Sequence, residues 1–303
     1  MFGLELFIAR VRLALVKRFF KKKQKCYVDW AAKGYVNEPL VTFIIQSHNK
    51  SLQVMHVVNK LRGYPKAEII VIDDGSAWVH HKRLARYLNG GNEFLLRAND
   101  LYENVMYDKT IRMANGRYIA LMQDDDDFKN LTWVDRAITL FERYPQMAIL
   151  GGKDGMDFTI DTQQKKFEIL PYTDGSSADF RFVAHVDRAP MWINKALFMD
   201  KLKHIDFRFA PFQFDDIELC LRAWLNDYQV GWYKTEFSSL SAGGMRIWNN
   251  SFTGEQCRKN IQRLYELYED KANVIKEKVS VAKSYPEKLQ EGISVFYVPS
   301  RDK

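Results

Sequence analysis

From Leu40 the chain alternates between two hydrophobic rhythms. "LVTFIIQ" (40–46) is an unbroken apolar, β-branched run, the pattern of a strand covered on both faces. Val54, Val57, Val58 and Leu61 then repeat at helical spacing, and Gly63 and Pro65 close that helix. "AEIIVIDDGS" (67–76) predicts a second strand and its exit loop, followed by a helix over about 79–88 that "NGG" interrupts. "EFLLR" (93–97), a helix over roughly 103–114 and "RYIALM" (117–122) continue the series. Such alternation predicts an α/β domain with a mainly parallel central sheet flanked by helices. From about residue 150 the signals shorten and mix, which predicts a smaller lobe packed on the same sheet. Residues 254–279 read as one terminal helix with an apolar face of Ile261, Leu264, Tyr265, Tyr268, Ile275 and Val279.

Composition changes this picture in one place. The first 25 residues hold eight Lys/Arg and one acid, so they account for the whole formal net charge of +7. The rest of the chain is neutral, unlike a nucleic-acid binder, which spreads basic residues over a folded face. Within "MFGLELFIARVRLALVKRFFKKKQK", Leu4, Ile8, Val11, Leu15 and Phe19 fall at helical spacing ahead of a lysine cluster. The segment lacks a basic start and a small-residue cleavage site, so it is a poor signal peptide. It reads as a basic amphipathic arm that either lies on an anionic membrane surface or packs on its own domain. Cys26, Cys220 and Cys257 have no metal-ligand spacing and are odd in number, which favours a reducing compartment. The expected organisation is an arm (1–38), a main domain (39–250, halves 39–150 and 151–250) and a helical extension (251–303).

Candidate chemistry gathers at the strand ends. In an open parallel sheet, ligands bind beyond the carboxyl ends of the strands. Those ends read Gln46-Ser47-His48-Asn49, Asp73-Asp74-Gly75-Ser76 and Gln123-Asp124-Asp125-Asp126-Asp127. Neither GxGxxG nor GxxxxGK[ST] is present, so phosphate is not cradled by a glycine-rich loop. A carboxylate-lined crevice repels phosphate unless a divalent cation, Mn²⁺ or Mg²⁺, is shared between them. An EF-hand is excluded because its glycine and its twelfth-position glutamate are missing. Asp126 and Asp127 are expected to cap the helix that starts near Thr132 or to sit in solvent.

"VTFIIQSHN", "AEIIVIDDGS", "ANGRYIALMQDDD" and "IDFRFAPFQFDDIELCLRAW", in that order, resemble the successive motifs of glycosyltransferase family 2. The resemblance covers about residues 40–235 and implies the GT-A fold, Rossmann-like, with a nucleotide-sugar donor and inversion at the anomeric carbon. It implies that Gln46, His48 and Asn49 line the base pocket and that Asp73 accepts a hydrogen bond from the base. His48 stands where relatives carry Tyr. The family Asp-x-Asp falls on Gln123, Asp124 and Asp125, which makes Asp125 the metal ligand and Asp124 a ribose or second metal contact. A later metal-binding histidine is missing here, since none follows His204.

"FDDIELCLRAWLND" also reads independently as a helix, with Ile217, Cys220, Leu221 and Trp224 inward and Glu218 and Arg222 outward. Acidic residues at its start cap orphan amides, which is one reading of Asp215 and Asp216. The resemblance gives the other: one of the pair is the general base, Asp216, with Asp215 as cap or acceptor contact. Trp192 either stacks on a pyranose or fills the core. "SAGGMRIW" (241–248) reads as a hinged lid whose Arg246 counters phosphate.

Together these readings give a metal-dependent inverting glycosyltransferase moving a sugar from a nucleoside diphosphate, UDP above all, to a hydroxyl of a glycan or glycolipid. It would work in the cytoplasm, peripheral on the inner membrane face, in polysaccharide biosynthesis. The rival is a catalytically silent GT-A domain serving as a membrane-associated glycan-binding or scaffold subunit, motivated by Gln123 and the missing histidine. A nucleotidyltransferase would need a Gly/Arg/Lys-rich loop where "QSHNKS" stands.

Overall fold

The computed structural model describes residues 2–18, 38–171, 179–188, 190–240 and 250–284. Helix α1 (Phe2–Arg18) precedes the sheet. Its apolar side chains do not share one face: Leu4, Leu6, Phe7, Ile8, Leu13 and Val16 are all exposed, on several sides of the helix. The single stripe expected from the spacing is therefore diluted by Leu6, Leu13 and Val16.

The predicted alternation then unfolds nearly residue for residue. Strand β1 (Val41–Ser47) is followed by α2 (Ser51–Leu61), β2 (Ala67–Asp74), α3 (Trp78–Tyr87), β3 (Glu93–Ala98), α4 (Tyr102–Met113) and β4 (Tyr118–Gln123). Strands β1 to β4 pair in parallel in the order β3-β2-β1-β4. Val41, Phe43, Ile44 and Ile45 are completely buried because helices cover both faces. The order reverses between β1 and β4, and at such a switch point the connecting loops leave in opposite directions and open a crevice.

A short β5 (Asp126–Phe128) and α5 (Thr132–Arg143) lead to β6 (Met147–Gly151), β7 (Gly155–Asp161), β8 (Lys166–Pro171), β9 (Phe180–Phe182), β10 (His185–Val186) and β11 (Met191–Asn194). After α6 (Asp215–Leu225) come β12 (Gln229–Tyr233) and β13 (Phe237–Ser239). The sheet continues from β4 through β11, β6, β12 and β9, with β11 antiparallel to both neighbours. The second half thus extends the same sheet, and β10-β7-β8 forms the small sheet beside it. Strands of two to five residues carry too few alternations to be read in sequence.

The C-terminal run is two helices, α7 (Asn250–Tyr268) and α8 (Ala272–Lys283), not one. The break falls at the polar stretch Glu269-Asp270-Lys271, where Lys271 turns back to the carbonyl of Leu267. A helix gains most of its stability from tertiary packing, and this stretch offers no large apolar side chain to pack. Tyr268 of α7 reaches Glu218 of α6 at 3.0 Å. Glu218 and Arg222, expected outward, are consequently covered: Glu218 is 2% exposed and paired with Arg222 at 2.8 Å.

Candidate active site

Four loops meet beyond the carboxyl ends of β1, β2, β3 and β4, and side chains bolt them together. Asp74 accepts from the N–H groups of Leu101 (2.8 Å) and Tyr102 (2.7 Å) and from the Gln46 amide (3.1 Å). Asn49, in left-handed backbone at φ 61°, accepts from Ala77 N–H at 2.7 Å, and its own N–H donates to Ser76 at 2.8 Å. Gly75 lies at φ 74°, and a Cβ there would stand 2.9 Å from that of Asp100. That close approach requires glycine.

His48 sits centrally in this set. Its N–H donates to Asp124 at 3.3 Å, and its Nδ1 lies 2.6 Å from the Asp74 carbonyl. Asp73 is placed differently from the expectation that it accepts from a base. It is fully buried, and its oxygens are taken by Ser76 N–H, His81 (2.6 Å) and Arg97 (2.9 Å). Part-exposed His81 and Arg97 cover it, so Asp73 acts by holding them.

The aspartate run divides into four environments. Asp124 faces Lys50, 3.5 Å away, and burial, with Asp125 adding to it, raises its carboxyl to about 6 against Lys50. Asp125 accepts from the Ser239 hydroxyl at 2.6 Å, and its carbonyl accepts from Leu240 N–H at 2.7 Å, which ties the run to β13. Asp126 is buried, accepts from Gln123 N–H at 2.9 Å, and is raised by burial to about 7. Asp127 is bonded to Lys60 and lies 3.0 Å from His56. Neither Asp126 nor Asp127 caps α5, whose N-cap is Leu131; Asn130 just before it accepts from Thr132 N–H at 3.0 Å. Among the described residues no three His, Cys, Asp or Glu side chains gather closely enough to hold a metal. Adjacent Asp124 and Asp125 supply hard oxygens that suit Mn²⁺ or Mg²⁺, with further oxygens needed from elsewhere.

Across the crevice stands the start of α6. Gln213 and Phe214 both take left-handed backbone, φ 76° and 67°, to turn the chain into this helix. Such backbone is uncommon for bulky residues and clusters at functional sites. Asp215 makes no cap; it is 1% exposed and bonded to the side chain of Arg188. Burial opposes the charge on Arg188, but Asp215 and Asp216 outweigh it and hold the guanidinium charged. Asp216 is half-buried, and one of its oxygens accepts from Ile217 N–H at 2.9 Å.

Tyr107 joins the two sides. Its hydroxyl donates to the Met122 carbonyl at 2.8 Å, just before the aspartate run, and Arg188 lies over its ring at 5.1 Å from the centroid. Two expected contacts fall elsewhere. Trp192 is fully buried, donates to Tyr233 at 2.9 Å and packs 5.3 Å from Trp133 by ring centroids, so it is core and presents no face to a sugar. Arg246 and the loop 241–248 lie outside the described residues. Sequence reasoning missed Lys50, although it lies in the first loop, and missed Arg188, whose partner is 27 positions away. No local pattern marks that pairing.

A switch-point crevice lined with carboxylates, opposed by an acidic helix start, defines the GT-A class of glycosyltransferase folds. A family model described as glycosyl transferase family 2 matches residues 42–201, more than half of the chain. The chain belongs to glycosyl transferase family 2. Among solved structures, GalNAc-T7 with UDP, GalNAc and Mn²⁺ aligns at a TM-score of 0.53 and 15% identity, over 65% of this chain and 43% of that one. S. aureus TarS 1-349 in complex with UDP-GlcNAc aligns at 0.49 and 16% identity, over 69% and 60% of the two chains. The mannosyltransferase PcManGT from Pyrobaculum calidifontis, with GDP-Man and Mn²⁺, aligns at 0.48 and 12% identity, over 94% and 90%. The chain thus spans less than half of the GalNAc-T7 chain and three fifths of the TarS 1-349 chain. No curated protein matches the sequence.

Proposed function

We propose that this protein is an inverting, metal-dependent glycosyltransferase that moves a sugar from a nucleoside diphosphate, UDP by preference, to a hydroxyl of a glycan or glycolipid. The observation that carries the reading is Tyr107, which ties the strand end bearing Asp124 and Asp125 to the Arg188–Asp215 pair that fixes Asp216. A donor-side acidic pair and an acceptor-side carboxylate are thereby held in one rigid frame. Family membership supports the same chemistry.

Gln46, His48 and Asn49 would line the base pocket, with Arg97 and His81 presented by Asp73. Asp125, helped by Asp124, would hold Mn²⁺ or Mg²⁺, which when bound neutralises diphosphate charge as it develops. Asp216 takes the proton of the acceptor hydroxyl while that oxygen bonds to the anomeric carbon. The bond from this carbon to the diphosphate breaks, and the nucleoside diphosphate leaves. The pairing of buried Asp215 with Arg188 supports giving that role to Asp216. A positioned base contributes roughly 10²–10⁴-fold.

Helix α1 and the lysine cluster after it supply the surface contact. Exposed leucines, Phe7 and Ile8 fall within the 25-residue segment that carries the whole net charge, a combination complementary to anionic lipid. No helix among the described residues is long and apolar enough to cross a membrane.

The test is donor turnover. UDP release from a UDP-sugar in the presence of Mn²⁺, abolished in Asp216→Ala while donor binding persists, supports the enzyme. Binding of glycan with no turnover of any UDP- or GDP-sugar would instead favour the silent GT-A scaffold.

A further inference from the structure

The first turns of α2 and α3 stand side by side at the mouth of the crevice. Asn49 links the loops that precede them, through Ser76 and Ala77, at 2.8 and 2.7 Å. Ser51 of α2 lies 2.9 Å from the His80 ring of α3 and accepts from Arg83 at 2.8 Å. Around these polar contacts three large apolar side chains point outward: Leu52 is 66% exposed, Trp78 67% and Val79 52%. Val54, Val57, Val58, Leu61 and Leu84 of the same helices are completely buried, so the exposed three take no part in the core. Apolar side chains grouped at one edge in this way mark an interaction surface, unlike ones scattered singly.

Charge follows the same face. Trp78, Lys82 and Arg86 recur at four-residue spacing along one side of α3, and Lys82 Nζ lies 4.1 Å from the centroid of the Trp78 ring. From Lys50 to Ala67 and from Gly75 to Asn92 the sequence has no Asp or Glu but seven Lys/Arg. Lys50, Lys60 and Arg62 are paired with Asp124, Asp127 and Glu93. Among the described residues Lys82 and Arg86 make no ion pair with a carboxylate. On the β3 side the face ends at Asp100, which lies 3.7 Å from His48, and at Glu103 in the first turn of α4.

We propose that the first turns of α2 and α3 form a membrane-contact surface: Leu52, Trp78 and Val79 enter the boundary of an anionic bilayer, and Lys82 and Arg86 engage its phosphates. Tryptophan favours the level between acyl chains and headgroups, and Lys and Arg one and two turns behind it extend their charged ends to the headgroups. The acid-free sequence of both helices makes the face complementary to negative lipid. The inference rests on the reading that this protein meets a lipid surface, and it places the crevice at that surface as well as α1. Both helices open directly from the loops holding Gln46–Asn49 and Asp73–Ser76, so the contact would hold the crevice beside the headgroup layer. Stable attachment takes two weak signals acting together, and this face would be the second.

The test is partition of the full chain onto phosphatidylcholine vesicles with and without phosphatidylglycerol. With brominated acyl chains, tryptophan fluorescence should be quenched on binding, and Trp78→Phe should bind as wild type yet lose a resolvable share of the quenching. Leu52→Ser combined with Trp78→Ser should lower the partition coefficient roughly tenfold or more. Lys82→Gln combined with Arg86→Gln should lower it on anionic vesicles by about fivefold per cation. Lys21→Gln, Lys22→Gln and Lys23→Gln, made together, report the N-terminal arm separately. Loss of binding in the arm variant and in both α2–α3 variants is the expected result. Loss in the α2–α3 variants alone also supports this surface and overturns the arm's contact. Loss in the arm variant alone, with quenching unchanged in Trp78→Phe, overturns this surface and leaves the arm. No binding of the wild type to either vesicle overturns both. A dimer found by sedimentation without vesicles and lost in Trp78→Ser would assign the face to a second copy and overturn the lipid.

Discussion

Arg188 lies over Tyr107, 5.1 Å from the ring centroid, and makes its ion pair with Asp215 from that position. The aromatic face supplies a second attraction to the guanidinium inside the fold, where the cation would otherwise be costly. One buried charge pair and one phenol thus set the spacing between the aspartate run and Asp216.

Breaking this contact should be expensive. Arg188→Ala leaves Asp215 buried and unpaired, so unfolding stability should fall by about 3–5 kcal/mol. Chemical denaturation of the variant against wild type measures it. Tyr107→Phe keeps the ring but orphans the Met122 carbonyl, and about 1–3 kcal/mol should be lost.

Metal dependence should follow Asp125. In Asp125→Ala, the Mn²⁺ concentration giving half-maximal stabilisation by UDP should rise at least tenfold, read from thermal shifts. Asp127→Ala, whose carboxylate belongs to Lys60 and His56, should leave the metal response unchanged.

The contact between α7 and α6 should register in stability alone. Tyr268→Phe deletes the 3.0 Å bond to Glu218 and should cost about 1 kcal/mol, with donor binding unaffected. Isothermal titration with UDP and Mn²⁺ beside an unfolding curve separates the two effects.

His185 should give the fold a pH slope. Its buried ring is lowered to about 4, from an ordinary value of 6.5, so the unfolded chain binds its proton more readily than the folded one. This contribution is intact above pH 6.5 and is lost as pH falls toward 4, by roughly 3 kcal/mol in total. His185→Leu removes this titration, so the gap between the two stability curves should be constant above pH 6.5, and below it the wild type should lose up to about 3 kcal/mol relative to the variant as pH falls toward 4. Curves that stay parallel from pH 4 to 7 would show that His185 is not buried neutral.

Attachment at a membrane should depend on charge. Vesicles containing anionic lipid should sediment the full chain at low salt and release it at high salt, and removal of residues 1–25 should abolish the effect. Equal binding to neutral vesicles would point to apolar insertion by α1 alone.

By itself, the sequence determined the first half of the sheet and its crevice. Buried parallel strands are continuous apolar runs, and the loops leaving them hold Gln46, His48, Asp74 and the aspartates as neighbours along the chain, so local pattern suffices. It also marked the start of α6, because two adjacent aspartates before an apolar stripe are themselves a local signal. The tertiary structure alone decided which aspartate is free. Asp215 and Asp216 are indistinguishable until Arg188 arrives from a different strand and buries one of them, just as Tyr268 turns Glu218 inward and Trp133 and Tyr233 enclose Trp192. Charge and burial at these positions come from partners 27 to 50 residues away or from packed rings, and pairing across such separations leaves no periodic trace in the chain.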